Sequence, residues 1–179
     1  FSFSVSISNV TTNDKNTVIS SSLSTLPVII NKAAYCNLKS GIPSNSQLIS
    51  NRAGWIINVE EGVEGAPNNL IDGKTGTDVA LNNKGFWFTV DLGEAKVLTG
   101  IKTNHWANAY APREVEILQS ENGTTWKSLS SLAIPGSSTQ NITFISPITT
   151  RYLKYQIITI STNGRTDVTE FNVYEPKNE

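Results

Sequence analysis

Apolar and polar positions alternate along most of this chain. In residues 86–92, Phe86, Phe88, Val90 and Leu92 fall on one face of an extended segment, and Trp87, Thr89 and Asp91 on the other. Residues 113–118 repeat the pattern, with Val115 and Ile117 opposed to Glu114 and Glu116. The runs 141–145, 151–160 and 169–175 continue it. Turn-formers separate them, such as Glu121-Asn122-Gly123 and Ile134-Pro135-Gly136-Ser137. No stretch of a dozen residues keeps the i, i+3, i+4, i+7 spacing of a helix. Short strands broken by turns about every ten residues predict an antiparallel sandwich or barrel.

The first 45 residues read differently. Two strand-like runs, 1–7 and 26–30, flank a polar Ser/Thr/Asn stretch, and 38–54 reads as a linker. The expected division is therefore residues 1–45, as the end of a preceding β-domain or a strand pair packed on the next, and 46–176 as the main domain. No internal repeat is visible.

Composition narrows the function classes. With 16% charged residues and a net charge of −1, the chain has no basic footprint for nucleic acid. Nineteen Asn, with many Ser and Thr, make a surface rich in hydrogen-bonding groups and poor in field. No run of 18 apolar residues offers a membrane span. The N-terminus shows no basic-then-apolar leader and no Met, as expected of a processed or excised segment. The single Cys36 precludes a disulfide within the chain and a cysteine-based metal site, and is expected as a small buried hydrophobe.

Two loops carry candidate chemistry. Residues 68–80 contain Asp72-Gly73, which alone signals a tight turn. The same stretch supplies a carboxylate from Asp72, a hydroxyl from Thr77 and glycines that let carbonyls turn inward. These are hard oxygen donors of the kind Ca²⁺ accepts, and no His or Cys nearby favours zinc. Lys74 is the alternative occupant, its ammonium standing where an ion would sit. The second loop, 103–113, gathers Asn104, His105, Trp106, Asn108, Tyr110 and Arg113. An aromatic face with planar polar neighbours suits a pyranose, whose C–H face stacks while its hydroxyls take directed hydrogen bonds. The plain alternative is that Trp106 and Tyr110 fold back over the sandwich end. Trp55 is expected in the core, with Trp87 and Trp126 as packing residues within strand patterns.

Catalysis finds little support. His105 is the sole imidazole, and no Gly-x-Ser-x-Gly setting accompanies it. Asp72, Asp78, Asp167 and Glu170, the candidates for an acid pair, are better assigned to loops and the expected ion. No glycine-rich phosphate cradle leads from a strand into a helix.

From about residue 46 the chain resembles the discoidin, or coagulation factor 5/8 type C, family. The matching pieces are Asn-Asn-Leu-Ile-Asp-Gly-Lys-Thr-Gly-Thr (68–77), Gly-Phe-Trp-Phe-Thr-Val-Asp-Leu-Gly (85–93), the segment 112–129 around Trp126, and the closing runs 150–157 and 166–175, in family order. The resemblance is nearest to the bacterial galactose-binding-like carbohydrate-binding modules of family 32 type. It implies a jelly-roll-like antiparallel β-sandwich of about eight strands with loops gathered at one rim. It also implies a structural calcium under the 68–80 loop, held by side chains of Asp72, Thr77 and Glu170 and by carbonyls around Asn69, Lys74 or Thr75, and Thr169. Lys74 and Val79 depart from the family's usual residues there. At the rim the resemblance implies a sugar site, with Trp106 stacking, His105, Asn163 and Arg165 on the hydroxyls, and Asn104 and Tyr110 beside them. Arg113 ranks below Arg165.

The expected function is a non-catalytic module that targets a larger secreted or surface protein, such as a glycoside hydrolase, to glycans of galactose or N-acetylgalactosamine type. Other domains of the same polypeptide are its expected partners. An extracellular, cell-surface or periplasmic location follows. The alternative is a protein-binding, adhesion or spacer module without a sugar ligand.

Overall fold

Two long strands organise the architecture. The computed structural model describes Cys36–Leu38 by backbone and residues 41–177 in full. All described residues lie in one compact unit. Expectations for runs 1–7 and 26–30, and for the burial of Cys36, fall outside the described residues. The strands are β1 (Cys36–Leu38), β2 (Ser46–Leu48), β3 (Ile56–Val59), β4 (Val79–Asn82), β5 (Trp87–Asn104), β6 (Glu114–Ser120), β7 (Lys127–Ala133), β8 (Thr139–Thr159), β9 (Arg165–Val168) and β10 (Glu170–Pro176). A 3-10 turn, Pro67–Leu70, precedes β4.

Strands β5 and β8 pair antiparallel along most of their length, and register shifts between Asp91 and Lys96 and between Leu98 and Gly100 divide that pairing. On one side of the shifts, residues 87–91 of β5 lie between β3 and the second half of β8, which continues to β6 and β7. On the other, residues 100–104 of β5 lie between β10 and the first half of β8, with β2 and β1 outside. The same two strands thus serve both layers of a β-sandwich, and the irregularities are where they turn from one layer to the other. Gly93 takes φ +81° at the bend, a conformation side chains disfavour. A Cβ on Gly100 would lie 2.6 Å from the Ile142 carbonyl oxygen.

The alternation read from sequence fills the space between the layers. Phe86, Phe88, Val90 and Leu92 are all buried, as are Val115 and Ile117. Phe88 stacks on Tyr155 at 5.2 Å between centroids and meets Phe171 edge-on at 5.0 Å, joining strands from both layers. Such aromatic contacts add to the burial of their large apolar area. Trp55 is buried as expected, and Trp87 is half-buried beneath Lys154. Asp91, on the outward face by pattern, is nevertheless buried because Arg151 covers it with two hydrogen bonds, 2.8 and 2.9 Å.

Two short strands lie beside the expected division at residue 45. Cys36–Leu38 is a strand paired with residues 142–144 of β8. The supposed linker 38–54 contains β2, which closes on β10. These strands are three residues each, too short for alternation to register.

Candidate functional site

The loops at one rim converge around the two-stranded ribbon of β4 and β9, whose register pairs Val79 with Val168 and Asn82 with Arg165. The 105–113 loop is tied down at several points. His105 N–H donates to Ser138 O (2.9 Å), Ser138 N–H donates to the Asn108 side chain (2.8 Å), and Trp106 N–H donates to the Asp167 carboxylate (3.2 Å). Arg113 lies beneath, its guanidinium donating to Asn108 O (3.4 Å) and the Thr162 hydroxyl (3.2 Å). With its backbone so held, the loop projects Trp106 into solvent, 57% exposed.

Trp106, Tyr110, Asp78 and Arg165 line one depression of about 260 Å³. Arg165 crosses its floor. Its Nη2 lies 2.9 Å from Asp78 Oδ2 and 3.5 Å from Glu64 Oε2, and its Nη1 lies 3.6 Å from Asp167 Oδ2. The Asp167 side chain is wholly enclosed, and burial pushes its carboxyl up to about 6 against the opposing pull of the Trp106 N–H. Three of the six residues expected on a sugar, Trp106, Tyr110 and Arg165, are thus brought together.

The other three are placed elsewhere. His105 does not reach the rim: its side chain is fully enclosed. Its Nδ1–H donates to the Asp167 carbonyl (2.6 Å), and the Thr103 hydroxyl donates to Nε2 (3.0 Å). Burial lowers its pKa to about 4, so the ring is neutral and occupied at both nitrogens. It ties the loop to β9 and is not available to a ligand. Asn163 is exposed but closes its own turn, its carbonyl oxygen accepting from Ser161 Oγ–H (2.9 Å) and Arg165 N–H (3.0 Å). Asn104 donates its amide to Thr139 across the β5–β8 pair (3.1 Å).

The three side chains expected around calcium, from Asp72, Thr77 and Glu170, are turned on protein partners. Thr77 Oγ–H and Lys74 N–H each donate to the Asp72 carboxylate at 2.8 Å, which makes the loop a self-closed turn. Glu170 accepts Gly73 N–H at 3.0 Å with one oxygen and the Arg52 guanidinium with the other. Asn69 donates to Asp78 O (2.8 Å), Thr169 is buried with its N–H on Asn104 O (2.8 Å), and Thr75 is exposed in the loop. Lys74, the alternative cation, is exposed. Calcium needs six to eight oxygens turned on one point. Here the carboxylates face protein donors and the positive charge among them is Arg52, so the set does not fit calcium. Among the described residues no group of three or more His, Cys, Asp and Glu is spaced to hold a metal.

Glu64 and Arg52 are the site residues that sequence reasoning missed, and Asp78 was weighed only as half of an acid pair, not as a rim residue. Nothing local marked Glu64 or Arg52, because their partners lie 101 and 118 residues away.

The matching profile is that of the F5/8 type C domain, over residues 50–171. The chain belongs to the F5/8 type C domain family. Solved structures of the same fold include the family 32 carbohydrate-binding module of Clostridium perfringens NanJ in complex with galactose, at 22% identity and TM-score 0.62, covering 73% of this chain and 99% of that one. A second is the C. perfringens module CpGH89CBM32-5 with GalNAc-β-1,3-galactose, at 17% identity and TM-score 0.62, covering 71% and 99%. A third is the module of AlyQ with 4,5-unsaturated mannuronic acid, at 23% identity and TM-score 0.55, covering 66% and 92%. No curated protein sequence matches the chain. Among the described residues of this F5/8 type C domain, no helix is long and apolar enough to cross a membrane.

Proposed function

We propose that this F5/8 type C domain is a non-catalytic carbohydrate-binding module whose ligand sits in the Trp106 depression. One observation carries the reading: a tryptophan more than half exposed, on a loop pinned by backbone hydrogen bonds, stands over a depression that also contains Tyr110, Asp78 and Arg165. An exposed indole on a rigid support is a platform for the C–H face of a pyranose. Asp78 accepts from ring hydroxyls and Arg165 donates to ring oxygens. The family's solved relatives with galactose and GalNAc-β-1,3-galactose make a terminal galactose-type residue the best single ligand. Such a module directs a larger secreted or surface-exposed protein to glycans.

The test is a glycan array with wild type and Trp106→Ala in parallel. Selective binding that falls at least about tenfold in the variant, with the melting temperature unchanged, supports the reading. A blank array from folded protein moves the function to adhesion or spacing between other domains. Binding unaffected by Trp106→Ala moves the site elsewhere on the module.

A further inference from the structure

The charge around the Trp106 depression is unbalanced. Arg165 is its one cation, and three carboxylates already face that guanidinium, from Asp78, Glu64 and Asp167. Asp78 and Asp167 are mostly or wholly enclosed, so water screens them weakly. An incoming carboxylate would have to compete with these fixed partners for Arg165 and sit against the charge excess that remains. A neutral pyranoside meets no such cost, since carboxylate oxygens are good acceptors for its hydroxyls. Resting on the glycan-binding reading above, we infer that this rim selects uncharged sugars and excludes those bearing a carboxylate, such as uronic and sialic acids. It thereby parts from the AlyQ module, whose solved complex holds an unsaturated mannuronic acid.

Matched pairs differing only at C6 test this: galactose against galacturonate, glucose against glucuronate, and mannose against mannuronate, titrated by calorimetry at constant ionic strength. The neutral member of a bound pair should win by at least about tenfold in wild type. In Glu64→Gln, which removes a carboxylate facing Arg165 but outside the lining of the depression, that ratio should narrow several-fold, while the neutral sugar changes less. A uronate that binds wild type as well as its neutral partner overturns the charge selection and leaves the glycan reading intact. Failure of every sugar, with the protein folded, removes the glycan reading and this inference together.

A different observation carries a second inference, independent of any ligand. Arg52 donates to Ile49 O (3.5 Å), Ile71 O (3.1 Å), Asn172 Oδ1 (2.6 Å) and Glu170, and its guanidinium lies 5.8 Å from the centroid of the buried Trp55 ring. Glu170 in turn receives Gly73 N–H. A planar fork with five donors thus links β10, the β2–β3 connection and the 71–78 loop that ends on Asp78. The geometry points to Arg52 as the positioning residue that braces this loop in place of a metal ion, making the module's stability and its rim indifferent to calcium.

Melting curves of metal-stripped wild type should coincide in millimolar calcium and in EDTA. Arg52→Met should melt about 5–10 °C lower, because it strands the Glu170 carboxylate in a partly buried site. The double variant Arg52→Met/Glu170→Met should recover much of that loss, since it leaves no unpaired charge. A calcium-dependent rise in the wild-type melting temperature, reversed by EDTA, overturns the proposal whatever the variants do. So does an Arg52→Met protein as stable as wild type.

Discussion

Arg165 on β9 and Asp78 at the end of the preceding loop meet with Nη2 2.9 Å from Oδ2, a contact between residues 87 apart in sequence. It joins the two strands of the β4–β9 ribbon at the depression they help to line. The same guanidinium stands over the enclosed carboxylate of Asp167, so one side chain compensates two acidic groups that water reaches poorly.

Removing that cation has a structural effect separate from any ligand effect. Arg165→Met leaves Asp78 and Asp167 facing each other without compensation, and should lower stability by about 1–3 kcal/mol. Thermal denaturation checks this. Asp78→Asn in the Arg165→Met background should restore part of the loss, because it removes one of the two opposed charges. An Arg165→Met variant that melts with wild type would show the pairing to be incidental.

Acid acts on His105 and Asp167 in opposite senses. The folded pKa of His105 lies near 4, below its ordinary 6.5. Between those values the unfolded chain holds the extra proton, and stability falls as pH drops from about 6.5 towards 4. Asp167 is raised from 3.8 to about 6. Here the folded state holds the extra proton, and stability rises as pH falls through 6 towards 3.8. The two windows overlap and partly cancel. Asp167→Asn should therefore make the module more acid-sensitive between pH 6.5 and 4.5, and His105→Gln should make it less so. Melting temperatures across that range read both. The imidazole C–H resonances of wild type should stay in their neutral positions down to about pH 5. A His105 midpoint near 6.5 would contradict the enclosed ring.

The 105–113 loop depends on a glycine across from it. A Cβ built on Gly136 would lie 0.9 Å from Arg113 Nη1, so Gly136→Ala must displace the guanidinium that bonds Asn108 O and Thr162. Both Gly136→Ala and Arg113→Ala should speed amide hydrogen exchange at residues 106–110, with little change in global stability because Arg113 is only half-buried. They should also weaken ligand binding by loosening the support of Trp106. Unchanged exchange in both variants would show that the backbone ties at Ser138 and Asp167 suffice.

Much of the fold was legible because burial in a sandwich imposes a two-residue period. Phe86, Phe88, Val90 and Leu92 announce their inward face, and so do Val115 and Ile117. Asp91 broke the pattern only because Arg151, 60 residues on, covers it. The site was legible in part. Trp106 on a polar loop suggested an exposed platform, and it is exposed. His105, one residue earlier, looked equally available and is enclosed, because a loop gives its successive side chains no fixed period.

By itself, then, the sequence determined the all-β class, the inward faces of the long strands and the two loops that matter. Each of these rests on interactions between near neighbours or on a repeating pattern. Only the tertiary structure decided that β5 and β8 serve both layers, that Arg52 meets Glu170, and that Arg165 gathers Asp78, Glu64 and Asp167. Those relationships join residues brought close by chain reversal, and their strength depends on how far burial removes water. Neither quantity is written in local order along the chain.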